Sequence, residues 1–154
     1  MLRLGQAHYD ALRHHGEETY PHECCGVLLG HVEGDGNRVV SSIARAGNTR
    51  ADSPQNRYSI DPKELVRIQR EGRERGEDII GFYHSHPDHP ARPSQYDLDH
   101  AWPTFAYVIV AVAAGAAGDM TVWYLKEDRS SFEEGELHYV DENSDSNAAP
   151  AVHR

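Results

Sequence analysis

Residues 78–97 read DIIGFYHSHPDHPARPSQYD and join an apolar segment, a proline-rich loop and the start of a helix. The segment DIIGFYHSH predicts a strand that Pro87 ends. Residues two apart in a strand point to the same face, about 7 Å apart at their Cα atoms, so His84 and His86 are neighbours on one face. Ser94 is typical of a helix N-cap, with Asp97 in the first turn.

This histidine pair favours a metal site once Asp97 is included. Two adjacent imidazoles can bind one ion through their nitrogen lone pairs, although a pair alone is more often solvated. Pro90 and Pro93 turn the chain back stiffly, and the Asp97 carboxylate then offers a third ligand. Two His and one Asp leave one position of a tetrahedral zinc open, which is the catalytic pattern. One Asp97 oxygen cannot easily serve both the helix cap and zinc, and we expect ligation to prevail.

Hydrolysis at such a metal needs a base, and Glu23 in PHECCGVLLG (21–30) is the candidate. It directly precedes a strand that is apolar enough to be buried. Taken by itself, Glu23 would be interpreted as an exposed residue at a helix-to-strand junction. Cys24 and Cys25, the two cysteines of the chain, are sequence neighbours. A disulfide between them would be strained, which predicts two reduced thiols. Their apolar context favours buried side chains over a thiol nucleophile.

The rest of the chain predicts one α/β domain, because 154 residues usually form a single core. The expected elements are a helix over residues 3 to about 19, a hairpin of 24–33 and 38–46, a helix opened by Asp61 and Pro62, a short helix from Ser94, and strands at 105–113, 120–125 and 136–140. Their order predicts a single-domain α/β/α sandwich with a mixed central sheet over residues 1–140. The polar segment 141–154 is expected to be a disordered tail.

Composition narrows the possible partners. The net charge of −10, from 25 acidic against 15 basic residues, argues against nucleic acid and anionic membranes as partners, since both bind basic surfaces. The sequence has no run of eighteen apolar residues, and residues 1–15 lack the apolar core of a signal peptide. We therefore expect a cytoplasmic protein without a membrane span. Oligomeric state is not predicted.

Taken together, Glu23, HSHP at 84–87, Ser94 and Asp97 resemble the complete signature of the JAMM/MPN+ metalloproteases, compact bacterial type. That signature is a distant Glu, then His-Ser/Thr-His, seven residues, Ser, two residues and Asp. The similarity extends over about residues 5 to 140. It implies a cytidine-deaminase-like α/β/α fold and one zinc ion per chain, held by His84, His86 and Asp97. By the same resemblance Glu23 activates water and passes a proton to the leaving amine, while Ser94 hydrogen-bonds the oxyanion.

The resemblance also implies a function: a zinc peptidase that hydrolyses an amide or isopeptide bond at the C-terminal Gly-Gly end of a ubiquitin-like or sulfur-carrier protein. Three alternatives are weighed against it. A non-catalytic MPN-type interaction scaffold usually lacks one or more of the five signature residues, which are all present here. A zinc deaminase would need Pro-Cys-x-x-Cys, which the sequence lacks. A cysteine protease built on Cys25 would depend on the thiol rather than on Glu23.

Overall fold

The computed structural model describes residues 1–48, 58–140 and 151–153. Within these ranges it has three helices and nine strands in the order β1 (Leu2–Gly5), α1 (Gln6–Thr19), β2 (Cys25–Val32), β3 (Arg38–Ala46), α2 (Pro62–Glu74), β4 (Asp78–Pro87), α3 (Gln95–His100), β5 (Ala106–Ala113), β6 (Ala116–Leu125), β7 (Phe132–Glu134), β8 (Leu137–Val140) and β9 (Ala151–His153).

The strands form one mixed sheet in the order β7-β6-β5-β4-β2-β3-β1-β8-β9. The pairs β4–β5, β1–β3 and β1–β8 are parallel, and the remaining neighbours are antiparallel. Parallel pairing of β4 with β5 requires a crossover, and α3 lies within that connection. The predicted mixed central sheet is confirmed.

Helices cover both faces of this sheet. Helix α1 packs on one face, where Tyr9 and Leu12 join a cluster that includes Leu28 and Val110. Helix α2 packs on the other face, where Ile68 contacts a second cluster with Val27 and Leu29. Successive residues of β2 therefore point into different layers, as the strand period of two requires. The α/β/α sandwich predicted from the sequence is the observed fold.

Helix α2 shows why the local sequence signals were reliable. The Asp61 carboxylate accepts a hydrogen bond of 2.8 Å from the backbone N–H of Lys63, and Pro62 occupies the first turn, where a missing N–H costs nothing. The predicted helix start is confirmed. None of the described helices has the length and apolar character needed to cross a bilayer.

The N-terminal prediction was wrong at its start. Residues 2–5 form strand β1 rather than the first turn of a helix, and helix α1 begins at Gln6. Leu2 and Leu4 are both buried while Arg3 is exposed, which is the alternation of a strand, and β1 lies between β3 and β8. Pairing on both sides outweighs the local helical preference of so short a segment.

The C-terminal half holds more strand than predicted. Strand β6 begins at Ala116 instead of residue 120, and β7 adds three residues at the sheet edge. In the segment predicted as a disordered tail, residues 151–153 form β9 beside β8, and residues 141–150 and 154 lie outside the described residues. The domain boundary at residue 140 stays a prediction.

Candidate metal centre

The register between β2 and β4 assembles the site. These strands are antiparallel with Cys25 opposite His84, so Glu23, just before β2, lies beside His86 at the end of β4. Ser85 secures this alignment: its Oγ accepts a 2.8 Å hydrogen bond from the Cys24 N–H, and its own N–H donates to the Cys24 carbonyl over 3.2 Å. Strand pairing thus brings together residues 61 positions apart.

Three potential ligand atoms converge at the end of β4. The two imidazole Nε2 atoms of His84 and His86 are 3.1 Å apart, and Asp97 Oδ2 lies 3.3 Å from the first and 3.2 Å from the second. All three side chains are largely shielded from solvent, with exposed fractions of 1%, 10% and 8%. The residues that the sequence proposed as ligands are therefore adjacent in space.

The chemical state of the two histidines suits metal binding. The Nδ1 of His86 lies 2.9 Å from the Pro90 carbonyl, which can only accept, so Nδ1 carries the proton and Nε2 keeps its lone pair. Burial lowers the pKa of His84 and favours its neutral form. The ring of Tyr58 stacks on His84 at a centroid distance of 4.5 Å and restricts its rotation.

Asp97 both caps helix α3 and faces the histidines. Its backbone N–H donates to Ser94 Oγ over 3.1 Å, and its Oδ2 accepts from the Ser94 N–H over 2.9 Å, which completes a capping box. The oxygen that caps the helix is also the one beside both imidazoles, so the expectation that ligation of zinc prevails over the cap stays a prediction. A carboxylate oxygen has two lone pairs, so both contacts are compatible.

The electrostatic environment keeps Asp97 ionised. Burial alone would raise its pKa, but the adjacent His84 and His86 imidazoles and the hydrogen bond from the Ser94 N–H outweigh burial and hold the pKa well below its ordinary value. An anionic oxygen next to two neutral nitrogens is a donor set that attracts a divalent cation.

Glu23 is the second carboxylate of the site and differs sharply from Asp97. It is 3% exposed, and its Oε2 has no hydrogen-bond partner among the described residues. Burial, aided by the charge of Asp97, raises its pKa to about 9. One Glu23 oxygen lies within 4.8 Å of a nitrogen of each histidine. The junction residue that looked exposed by itself is thus buried and aimed at the imidazoles.

The two thiols are not candidates for nucleophilic chemistry. Cys24 and Cys25 are free and buried, and burial raises their pKa values to about 11 and about 12. A thiolate is the nucleophilic form, so both side chains are almost entirely unreactive near neutral pH. This agrees with the prediction that they are reduced and structural.

Several neighbouring residues have structural roles that the sequence did not reveal. Asp88 accepts hydrogen bonds from the Tyr20 hydroxyl at 2.6 Å and the Ala114 N–H at 2.8 Å, which ties down the loop after β4. His100 Nδ1 contacts the Tyr96 carbonyl at 2.8 Å, and the side chain is exposed on the surface of helix α3. Tyr58 has no distinctive local pattern, and Ser85 stands in the sequence only as the middle residue of the His-Ser/Thr-His signature, which indicates no role for it.

The converging atoms fit a zinc ion. Ligand bonds of about 2.0–2.1 Å in a tetrahedron place neighbouring ligand atoms roughly 3.3 Å apart. The three separations of 3.1, 3.2 and 3.3 Å match these edges, and the nitrogen and oxygen donors are ones that zinc accepts. Three such ligands would leave one position of the tetrahedron free, which is the pattern of an open site.

Fold and site together define an α/β protein with one candidate metal centre at the carboxyl end of an interior strand. The chain belongs to the family described as prokaryotic homologs of the JAB domain, which it matches over residues 5–126. This confirms the resemblance to the compact JAMM/MPN family drawn from the signature residues.

Individual relatives support the same assignment. A desampylase of Haloferax volcanii is 39% identical over 90 residues, which are 58% of this chain and 62% of that relative, so the chain spans less than two thirds of the relative's length. A desampylase of Pyrococcus furiosus is 29% identical over 68% of each chain.

Solved structures extend the likeness to the whole fold. A protein of Salinibacter ruber is 38% identical with a TM-score of 0.71, covering 99% of this chain and 98% of that one. A JAB1/MPN domain protein of Archaeoglobus fulgidus is 17% identical with a TM-score of 0.56, covering 92% and 98%, and supports the fold alone.

Proposed function

We propose that this chain is a zinc-dependent peptidase that hydrolyses an amide or isopeptide bond at the C-terminal Gly-Gly end of a small ubiquitin-like or sulfur-carrier protein. The observation that carries the proposal is the triangle of His84, His86 and Asp97 ligand atoms, 3.1–3.3 Å apart, beside the buried Glu23 carboxylate. Family membership and the two desampylase relatives support the kind of substrate.

In this proposal His84, His86 and Asp97 hold the metal. A zinc ion there would polarise the scissile carbonyl and lower the pKa of a water molecule beside it. The His86 Nδ1–H bond to the Pro90 carbonyl fixes the ring so that Nε2 faces the metal position. The capping box fixes Asp97 in the same way, because its orientation is tied to the start of helix α3.

Glu23 acts as the general base and then as the acid. A divalent cation bound by the neighbouring ligands would lower the Glu23 pKa and leave its carboxylate ionised. The carboxylate then takes a proton from the attacking water and delivers it to the leaving amine. With no hydrogen-bond partner for Oε2 among the described residues, the carboxylate is free to exchange that proton. Glu23 could also be read as a metal ligand, because one of its oxygens lies within 4.8 Å of both histidines. The Asp97 oxygen already lies 3.2–3.3 Å from both Nε2 atoms, which favours the base role for Glu23.

Ser94 supplies a hydrogen bond to the oxyanion. Its Oγ already accepts the Asp97 N–H, so the hydroxyl proton remains available to donate to the negative oxygen that develops on the scissile carbonyl. Loss of one such donor typically costs about 2.7–4 kcal/mol in the barrier. The two free buried thiols fit a reducing compartment, and we place the protein in the cytoplasm as part of the same proposal.

The decisive experiment measures zinc content and cleavage together. Whole protein purified with ample zinc is expected to bind one ion per chain and to cleave a ubiquitin-like fusion after its Gly-Gly end, with activity lost in chelator and restored by zinc. Glu23→Gln is expected to retain zinc but lose at least a hundredfold in kcat. Asp97→Asn is expected to lose zinc, and Glu71→Gln on the outer surface of α2 should change neither property.

The outcomes separate the proposal from its alternatives. Protein that contains no zinc and cleaves no Gly-Gly fusion would point to the interaction scaffold. Zinc loss in Glu23→Gln would make Glu23 a ligand and remove it as the base. Activity that survives Glu23→Gln but disappears in Cys25→Ser would point to the cysteine protease.

A further inference from the structure

Two cavities flank the candidate metal centre. One of about 280 Å³ touches His84 and Asp97 and is lined by many aromatic and aliphatic side chains, among them Phe82 and Trp102. The other, of about 300 Å³, touches His86 and is lined by Glu23, Ser94 and Arg92. The proposed base and oxyanion donor thus line the same cavity as Arg92, and none of these three residues lines the opposite cavity.

The position of Glu23 identifies the side on which the leaving group lies. In hydrolysis water adds its hydroxyl to the carbonyl carbon, the C–N bond breaks, and the amine leaves with the second proton of the water. Because Glu23 carries that proton, the leaving amine must be within reach of Glu23. Of the described cavities that contain Glu23, the one with Arg92 also touches the proposed ligand His86, so we assign it to the leaving group.

Arg92 is presented from a fixed backbone. Its N–H donates to the Pro90 carbonyl over 2.8 Å, and the carbonyl of buried Ala91 accepts 2.7 Å from the Thr121 hydroxyl. Pro93 restricts Arg92 to extended backbone conformations. A guanidinium that starts from a pinned backbone loses less entropy when it binds a ligand than one on a mobile loop.

The Arg92 side chain has no hydrogen bond or ion pair with any other described residue. Other arginines pair with carboxylates: Arg45 with Glu18, Arg67 with Glu71 and Arg75 with Glu77. In a chain of net charge −10 an unpaired guanidinium is a local attraction for anions. Guanidinium binds carboxylates in a two-pronged geometry, so a carboxylate is the ligand that matches Arg92 best.

We propose that Arg92 binds the free α-carboxylate of the leaving group, so that the preferred substrate carries a linear extension of one residue after its Gly-Gly end. In a single amino acid one carbon separates the amine from the carboxylate, which brings both groups into the Glu23–Arg92 cavity. The ε-amine of an isopeptide-linked lysine has no carboxylate at that distance. This inference rests on the proposed function and selects among the substrates that it allows.

The test compares an acid and an amide leaving group that differ in the terminal carboxylate, together with an isopeptide-linked lysine. One ubiquitin-like carrier is prepared with a C-terminal Gly-Gly-Ala acid, with the corresponding Gly-Gly-Ala amide, and with an ε-linked lysine. Zinc-loaded whole protein is expected to cleave the acid with a kcat/KM at least tenfold above the amide and the lysine conjugate, as one charge-assisted hydrogen bond would give. Arg92→Gln should bring the acid-to-amide ratio to about one, and Arg92→Lys should retain part of it.

Arg70→Gln is the matched control, since Arg70 is an exposed arginine on the outer surface of α2 and should leave the ratio unchanged. Equal rates for acid and amide, or a ratio that Arg92→Gln does not alter, would overturn the inference while leaving the proposed function intact. If no fusion is cleaved, the proposed function fails. Binding of the acid and amide fusions to Glu23→Gln protein then still decides whether Arg92 favours the carboxylate.

Discussion

Ser85→Ala tests how the site is aligned. Ser85 is fully buried, and its hydroxyl accepts the Cys24 N–H at 2.8 Å, directly next to Glu23 in the chain. Removing the hydroxyl leaves a buried N–H without an acceptor, which costs about 1–3 kcal/mol. For a domain of this size the melting temperature should fall by roughly 2–4 °C per kcal/mol, a total of about 2–12 °C.

The same change should affect catalysis in a particular way. If the bond only stabilised the fold, kcat measured well below the melting temperature would stay near the wild-type value. Because the bond positions Glu23, we expect kcat to fall about tenfold, which corresponds to about 1.4 kcal/mol, with KM and zinc content little changed. Thermal melting, metal analysis and steady-state kinetics of a Gly-Gly fusion provide the three readouts.

Ser85→Thr is the matched control, since it keeps the hydroxyl group. We expect Ser85→Thr to recover most of both losses. A Ser85→Ala protein with the same melting temperature as the wild type would refute the hydrogen-bond argument. A protein that melts lower but turns over at the wild-type rate would refute the positioning argument and leave only a structural role.

Three further predictions concern buried groups near the site. Burial, aided by the charge of a nearby arginine, lowers the pKa of His15 from 6.5 to about 4, so the stability that its neutral form provides is complete above about pH 6.5 and is lost as the pH falls toward 4. In urea unfolding we expect the free energy of unfolding of the wild type to fall by about 2 kcal/mol more than that of His15→Asn between pH 7 and pH 5. Equal decreases would contradict this. Replacing both Cys24 and Cys25 with alanine should preserve zinc content and kcat, whereas loss of activity with zinc retained would revive the thiol mechanism. Gly26→Ala should lower the melting temperature markedly, because a methyl group there overlaps the buried Tyr83 ring, and unchanged melting would show that the ring moves aside at little cost.

Elements with strong local signals could be predicted from the sequence. The strand that carries His84 and His86 ends at a proline, and their spacing of two decides that they share a face. The caps of α2 and α3 use side chains of the capping residues themselves, Asp61 and Ser94, so their chemistry is visible in a few letters. Local spacing therefore identifies three of the candidate site residues, His84, His86 and Ser94, without knowledge of the fold.

Short edge and terminal strands were harder to predict, because they depend on distant partners. Strand β1 has only four residues, and it is stabilised by β3 and β8, which come much later in the chain. The three residues of β7 pair only with β6. Segments this short contain too little periodicity to distinguish a strand from a loop or from a helical turn.

The place of Glu23 shows most clearly what the sequence leaves open. A shift of one residue between β2 and β4 would turn the partners of His84 and His86 to the other face and carry Glu23 out of reach. The apolar residues of β2 are buried on both faces, so hydrophobicity alone does not exclude that shift. Ser85 helps to exclude it, because its reciprocal bonds with Cys24 form only in the observed register. The residue between the two histidines, which is not among the proposed ligands, thereby helps to determine whether the proposed base meets the candidate metal centre.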